Sequence, residues 1–151
     1  MASIMRYIDL ISRCGAIYRS DRLGGTELGS CHFPYILTLC REPGISQEGL
    51  ARRIYIGKSS VTRALAYLEA HGYVRREPDA ADRRVMRVYP TAKAEEALPL
   101  IRGILRGWNE YLTEGLGPNE KETLTLLLEK AAARAAEYAD FSVLSGEGDE
   151  K

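Results

Sequence analysis

Two histidines and three cysteines are all the imidazole and thiol groups that this 151-residue chain holds. Cys14, Cys31 and Cys40 stand 17 and 9 residues apart. An odd count without Cys-x-x-Cys spacing argues against both a disulfide framework and a zinc knuckle. His32 and His71 are too few to complete a metal site and read as capping or packing groups. No metal and no cofactor are therefore expected. Long apolar runs are missing too: Arg6 and Asp9 interrupt the apolar start, well short of the roughly 18 residues that a membrane helix needs. With no signal-like apolar stretch at that end, the reading is a cytoplasmic protein with no membrane partner. Nor is there a glycine-rich phosphate loop, a Gly-x-Ser-x-Gly elbow, or a histidine spaced to activate a nucleophile, so no enzyme is expected.

What is present is a composition able to bury a core, 45% hydrophobic and 28% charged, at a length that fits one domain with an appended element. The 21 basic and 21 acidic residues cancel overall but are unevenly spread. Residues 1–46 carry five basic and four acidic groups, residues 47–94 ten and five, and residues 95–151 six and twelve, or +1, +5 and −6 in turn. A basic middle beside an acidic tail suits a polyanion-binding module carried on another scaffold.

Hydrophobic periodicity places the elements. Ile4, Ile8, Ile11 and Tyr18 predict an amphipathic first helix, and the glycine-rich stretch 23–30 a loop. Tyr35, Ile36, Leu39 and Cys40 predict a second helix over 31–41, ended by Pro43-Gly44. Ser46 is placed to N-cap a short helix over 47–54. Ile56-Gly57 reads as a tight turn, and a further helix spans 58–71 with Gly72 closing it. The period then changes to two, predicting strands at 73–77 and 85–89 around a polar tip at 78–84. A long helix follows over 92–115. Its Leu98, Ile101, Leu105, Trp108 and Leu112 form a coiled-coil-like seam, and Pro99 is expected to kink it. Gly117-Pro118 breaks the chain before a last helix with Leu124, Leu127, Leu128, Ala131, Ala135 and Tyr138 on its apolar face. Residues 142–151 read as a disordered tail.

Two short helices on a tight turn followed by a hairpin is the order of a winged helix-turn-helix. In the second of them, Val61, Ala64, Leu65 and Leu68 face inward, while Ser59, Ser60, Thr62, Arg63 and Tyr67 lie opposite. Small hydroxyl side chains let a helix approach the floor of a DNA major groove, Arg63 can reach guanine acceptors or phosphate, and Lys58 opens the helix at its positive end. Arg83 and Arg84 occupy a hairpin tip that cannot bury them, and an arginine there suits the narrow, electronegative minor groove. Asp82 repels phosphate, so its expected work is to orient an arginine by a charge-assisted hydrogen bond.

The run Leu68-Glu69-Ala70-His71-Gly72-Tyr73-Val74-Arg75-Arg76, with Asp82-Arg83-Arg84 and Val85 to Thr91 after it, resembles the MarR family of transcriptional regulators. Pro43 to Ala51 and Lys58 to Arg63 resemble that family's helix-turn-helix, and element order agrees over roughly 4–140. Two positions depart from the pattern: Pro90-Thr91 stands for the usual Leu-Thr, and Ala94 for a frequent glycine. Both touch the start of the following helix more than the DNA-facing residues. The resemblance implies a mainly α (α+β) fold, in which a lobe at 31–91 binds DNA and helices at 1–30 and 92–141 build a homodimer. It also implies an inverted-repeat operator, Arg84 as the minor-groove arginine with Asp82 as its partner, and a small-molecule effector between lobe and dimerisation helices.

The residues themselves argue for pairing, because a lobe of about 60 residues cannot cover the apolar faces of the terminal helices as well. The expected function is a site-specific regulator of transcription, in the form of a ligand-responsive repressor. Two alternatives stay open. Cys14 resembles in position the reactive thiol of the family's hydroperoxide sensors, although Arg13 points away from it on a helix. A winged helix used only for protein contacts is the other, and it would tolerate an uncharged wing. An aromatic or phenolic effector near Tyr7, Tyr18 and Tyr35 is suggested by the nine tyrosines, but by no spacing. Cys31 and Cys40 read as core or near-core.

Overall fold

The computed structural model describes residues 2–145, with side chains as far as residue 140. The chain divides into two compact units, one ending at Asn109 and the other beginning at Glu110.

The first unit opens with α1 (Ile4–Arg22), in which only Gly15 is buried. A Cβ at Gly15 would come within 3.0 Å of Trp108 Nε1, so the absence of a side chain is what lets α1 approach the helix that carries Trp108. After a 3-10 turn at Ser30–His32 come α2 (Phe33–Arg41), the two-residue strand β1 (Ile45–Ser46) and α3 (Gln47–Ile54). Ser46 caps α3 as expected, its hydroxyl accepting the Gly49 N–H at 2.9 Å. Tyr55, in the left-handed conformation at φ 56°, ends it. The turn therefore begins one residue before the Ile56-Gly57 that the sequence suggested. Helix α4 (Lys58–Ala70) follows, and Gly72 at φ +80° makes the left-handed turn out of it.

Strands β2 (Val74–Pro78) and β3 (Met86–Pro90) pair antiparallel, Val74 opposite Pro90 and Pro78 opposite Met86. Each begins one residue later than alternation predicts. The reason is local: the Tyr73 N–H is taken by the Leu68 carbonyl at 2.9 Å, closing the helix, and the Val85 N–H by Asp82 at 3.0 Å, closing the hairpin tip. On the other edge of β3 lies β1, Ile45 opposite Val88, giving the order β1-β3-β2. Two residues are too few to show a period, so this strand was invisible to patterning.

Val61, Leu65 and Leu68 on α4, Ile36 and Leu39 on α2, Leu50 on α3, Val88 on β3 and Ile101 are all fully buried together. Removing that much apolar surface from water is the main stabilisation of the lobe. Ile101 belongs to α5 (Ala92–Leu112), which carries Pro99 within it. Its buried positions are Ala94, Ile101 and Ile104, with Leu98 and Leu105 partly buried against the same core. The innermost line thus runs through Ile104, and Leu112 is exposed. α5 stops three residues before 115, because the Leu116 N–H folds back to the Thr113 carbonyl.

The second unit is dominated by α6 (Pro118–Ser145). Glu120 caps it, accepting the Gly117 N–H at 2.7 Å. Every side chain from 121 to 135 is exposed in the single chain. The helix runs on through 142–145, where a disordered tail was expected, because nothing between Pro118 and Ser145 breaks it. Residues 146–151 of that expected tail lie outside the described residues. None of the described helices is long and apolar enough to cross a membrane.

Candidate nucleic-acid interface

The N-terminus of α4 is preceded by Gly57 in an extended conformation, with no side chain capping the first turn. Its first amide groups are therefore left for an incoming acceptor. Lys58, Ser59, Ser60, Thr62 and Arg63 are all exposed there. The Arg63 guanidinium donates to Ser60 Oγ at 3.3 Å. Lys58 Nζ lies 3.9 Å from Glu48, which also pairs with Arg52 at 3.1 Å. All these groups are highly exposed, so the pairs are weak and can be exchanged for a polyanion.

Behind this face, side chains form a chain of contacts that fixes α3, α4 and the sheet together. Glu69 on α4 accepts two bonds from Arg76 on β2, at 3.1 and 3.3 Å. That pairing holds the Glu69 carboxyl below its usual range. Arg76 also donates to Gln47 Oε1 at 3.4 Å, and Gln47 Nε2 donates to the Thr62 hydroxyl at 3.0 Å. Thr62 completes the series by donating to the Lys58 carbonyl at 2.9 Å.

The β2–β3 hairpin is the wing, and two aspartates divide its arginines by role. Asp79 accepts the backbone N–H groups of Ala81 and Asp82, both at 3.0 Å, and Arg87 Nε at 2.9 Å. Arg87 also reaches the Gly44 carbonyl at 3.2 Å, tying the wing to the turn before β1. Asp82 accepts from the Arg84 amide at 3.1 Å, from its Nε at 3.0 Å and from its terminal nitrogen at 3.2 Å. These bonds, the Arg84 side chain first, hold the Asp82 carboxyl below the ordinary carboxylate range. Arg84 is nevertheless 91% exposed, so the aspartate aims the guanidinium without covering it. Arg83 is exposed beside it. A groove of about 400 Å³ runs between α4 and the wing, lined by Ser46, Gln47, Glu48, Lys58, Thr62 and Arg84 among others.

This geometry, an exposed polar helix start beside an arginine-tipped hairpin, can be set against known proteins. The MarR family profile matches residues 28–85. A MarR transcriptional regulator from Methanosarcina mazei Go1 is 32% identical over 89% of this chain and 97% of that one, with a TM-score of 0.84. The chain belongs to the MarR family of transcriptional regulators. An uncharacterized HTH-type transcriptional regulator of Bacillus subtilis, YybA, is 28% identical over 130 residues, 86% of this chain and 87% of that protein. A MarR family regulator from Listeria monocytogenes, solved with a 26mer DNA, shares the fold at 24% identity and TM-score 0.85, over 100% of this chain and 99% of that one. Family and fold are those of regulators rather than enzymes.

Within this MarR fold, the predicted residues fall into two spatial groups on one lobe. Lys58, Ser59, Ser60, Thr62 and Arg63 lie at the start of α4, and Asp82, Arg83 and Arg84 at the wing tip; Lys58, Thr62 and Arg84 share the groove. Tyr67 does not belong with them. Its hydroxyl donates to the Glu27 carbonyl at 2.6 Å, and its ring stacks between His32 and His71 at 4.9 and 4.1 Å. His32 accepts the Gly29 N–H at 2.9 Å, and burial lowers its pKa. Nearby, Tyr73 donates to Glu27 at 2.9 Å, and burial together with that bond pushes its pKa up to about 12.

Gln47, Arg76 and Arg87 were missed by sequence reading, since their parts depend on partners 15, 29 and 43 residues away. Cys14 is exposed on α1 and Cys40 is half-buried; Cys31 is exposed, not core, because it sits on the outer side of the 3-10 turn. Tyr35 is in the core and Tyr7 on the surface, while Tyr18 lies under the Arg22 guanidinium at 3.4 Å. The three tyrosines therefore do not line one common pocket.

Proposed function

We propose that this chain is a homodimeric, site-specific DNA-binding repressor that places α4 in the major groove and Arg84 in the adjacent minor groove. The observation that carries the reading is the Asp82–Arg84 arrangement, an arginine oriented by three bonds yet 91% exposed. An exposed surface pair contributes little to stability, so its orientation makes most sense as preparation for a partner. A narrow minor groove is the partner such an arginine fits. The hydroxyl-rich, uncapped start of α4 supplies the matching major-groove and phosphate contacts.

Dimerisation, through residues 1–30 and 92–141, is supported by apolar surface that one chain leaves in water. Ile4, Ile11 and Ile17 on α1 and Leu124, Leu127 and Tyr138 on α6 are all exposed. A two-fold protein then matches an inverted-repeat operator with half-sites about one helical turn apart. Relief of repression by a small-molecule effector is what the family resemblance implies; the separation of Tyr7, Tyr18 and Tyr35 gives no support to an aromatic or phenolic one. A thiol switch is a second reading, favoured by the exposure of Cys14. Peroxide that leaves DNA affinity unchanged, or a response that survives Cys14→Ser, sinks it.

Fluorescence anisotropy on a duplex from the region upstream of the chain's own gene, with a scrambled duplex as control at two salt concentrations, tests the proposal. Nanomolar binding that prefers the native duplex and weakens with salt is the expected result. No binding to either duplex at low salt would replace it with a winged helix used for protein contacts.

A further inference from the structure

We propose that Thr62 contributes to sequence choice through its methyl group, reading the C5-methyl of a thymine, and that Gln47 is the positioning residue that turns it to do so. The inference rests on the docking of α4 proposed above and deepens it. A threonine hydroxyl has one donor hydrogen and two acceptor lone pairs. The hydrogen goes to the Lys58 carbonyl at 2.9 Å, and one lone pair takes the Gln47 amide at 3.0 Å. Gln47 cannot easily turn away, because its own carbonyl oxygen accepts from Arg76, which Glu69 grips with two bonds. The hydroxyl is thus left without a hydrogen to offer a base acceptor. Its last lone pair would meet adenine and cytosine amino groups alike, and so could not tell them apart. What the exposed residue still has to distinguish one base pair from another is its methyl, and thymine alone carries a methyl group in the major groove.

Ser60 differs, since the bond found for its hydroxyl comes from the exposed end of Arg63 at 3.3 Å. The shared series of bonds also explains why Gln47, on a different helix, belongs to recognition. It holds one rotamer of a β-branched side chain that has two in a helix, since the hydroxyl of threonine can bond the preceding turn in more than one way.

The test begins by selecting a preferred site from a randomised duplex pool with the full-length protein. Each thymine of that site is then exchanged singly for deoxyuridine, which removes only the methyl. The wild type should lose about fourfold in affinity at one thymine per half-site, the worth of one methyl taken out of water. Thr62→Val, which keeps the methyl and drops the hydroxyl, should retain that loss. Thr62→Ser, which does the reverse, should bind thymine and deoxyuridine duplexes equally. Gln47→Ala should shrink the discrimination in the wild type but not in the Thr62→Val background, where valine has one strongly preferred rotamer in a helix; a merely structural glutamine would weaken both alike. An enriched site indifferent to every deoxyuridine exchange overturns the proposal alone, as does a Thr62→Val protein that loses thymine preference. A pool that enriches no sequence overturns the docking of α4 as well.

Discussion

The lobe between α2 and β3 and the helix α6 carry similar shares of charged residues, yet they treat their apolar ones in opposite ways. Around α4 each apolar face meets another: Val61, Leu65 and Leu68 are at 0% exposure, in one core with residues of α2, α3 and both strands of the hairpin. Along α6 the leucines at 124, 126, 127 and 128 are all exposed in the single chain, Leu127 at 58%. The lobe is complete as one copy, and its polar residues are freed for a partner of another chemistry. None of the described side chains of this 28-residue helix is buried, whereas most helical stability in proteins comes from packing an apolar face. The contrast points to two kinds of interface, one reading a polyanion and one covering apolar surface with a second copy.

The sharpest way to break this contrast is Leu127→Glu. Placed in an apolar dimer interface, an unpaired carboxylate is strongly unfavourable. Sedimentation should then show a single chain where the wild type shows two, with operator binding lost. An unchanged mass would mean that α6 is not the covering surface. Leu65→Ala acts on the other region, leaving a cavity in the enclosed core at a cost of about 2–5 kcal/mol. Chemical denaturation should register that loss, whereas Leu127→Ala, at a side chain 58% exposed in the single chain, should cost far more where dimers form than where they do not.

Arg84→Ala is smaller again. It should weaken specific binding by about 1–3 kcal/mol if the arginine makes a groove contact, with thermal stability unaltered. Lys58→Ala should lower affinity on all duplexes and reduce the salt slope by about one. Equal, negligible effects of both would displace the docking proposed. The least of the effects is electrostatic. Asp82, with its folded pKa depressed chiefly by Arg84, orders the wing above the ordinary carboxylate pKa. That order is lost as pH falls through the depressed value. An NMR titration of the Asp82 carboxyl should move upward toward the ordinary range in Arg84→Ala, and a carboxyl that stays put would mean that backbone donors alone hold it.

Much of this was legible in the chain. Ser46 as a cap, Gly72 as a left-handed turn, and Val61, Leu65 and Leu68 as an inward face are local consequences of backbone sterics and helical period, and the structure has them as read. That Asp82 would orient an arginine was legible from charge alone, while the choice of Arg84 over Arg83 came from the family resemblance, and the structure pairs Asp82 with Arg84. Cys31 was misjudged, and the partner of Tyr67 went unread, for a common reason. A period says which residues share a face, but not which neighbour covers that face. Tyr67 shares its side with the DNA-facing residues, and the loop at Glu27, 40 residues earlier, claims it.

The amino-acid order therefore determined the helices, the hairpin and the residues at its tip, since each depends on interactions within a few positions. Tertiary structure alone decided the third strand at Ile45–Ser46 and the union of Gln47, Thr62, Arg76 and Glu69 into one network. Arg87 likewise became a fastener of the wing rather than one more free charge only when folding brought it to Asp79 and Gly44. A hydrogen bond needs its donor and acceptor within about 3 Å, and across tens of residues only the packed core brings them that close.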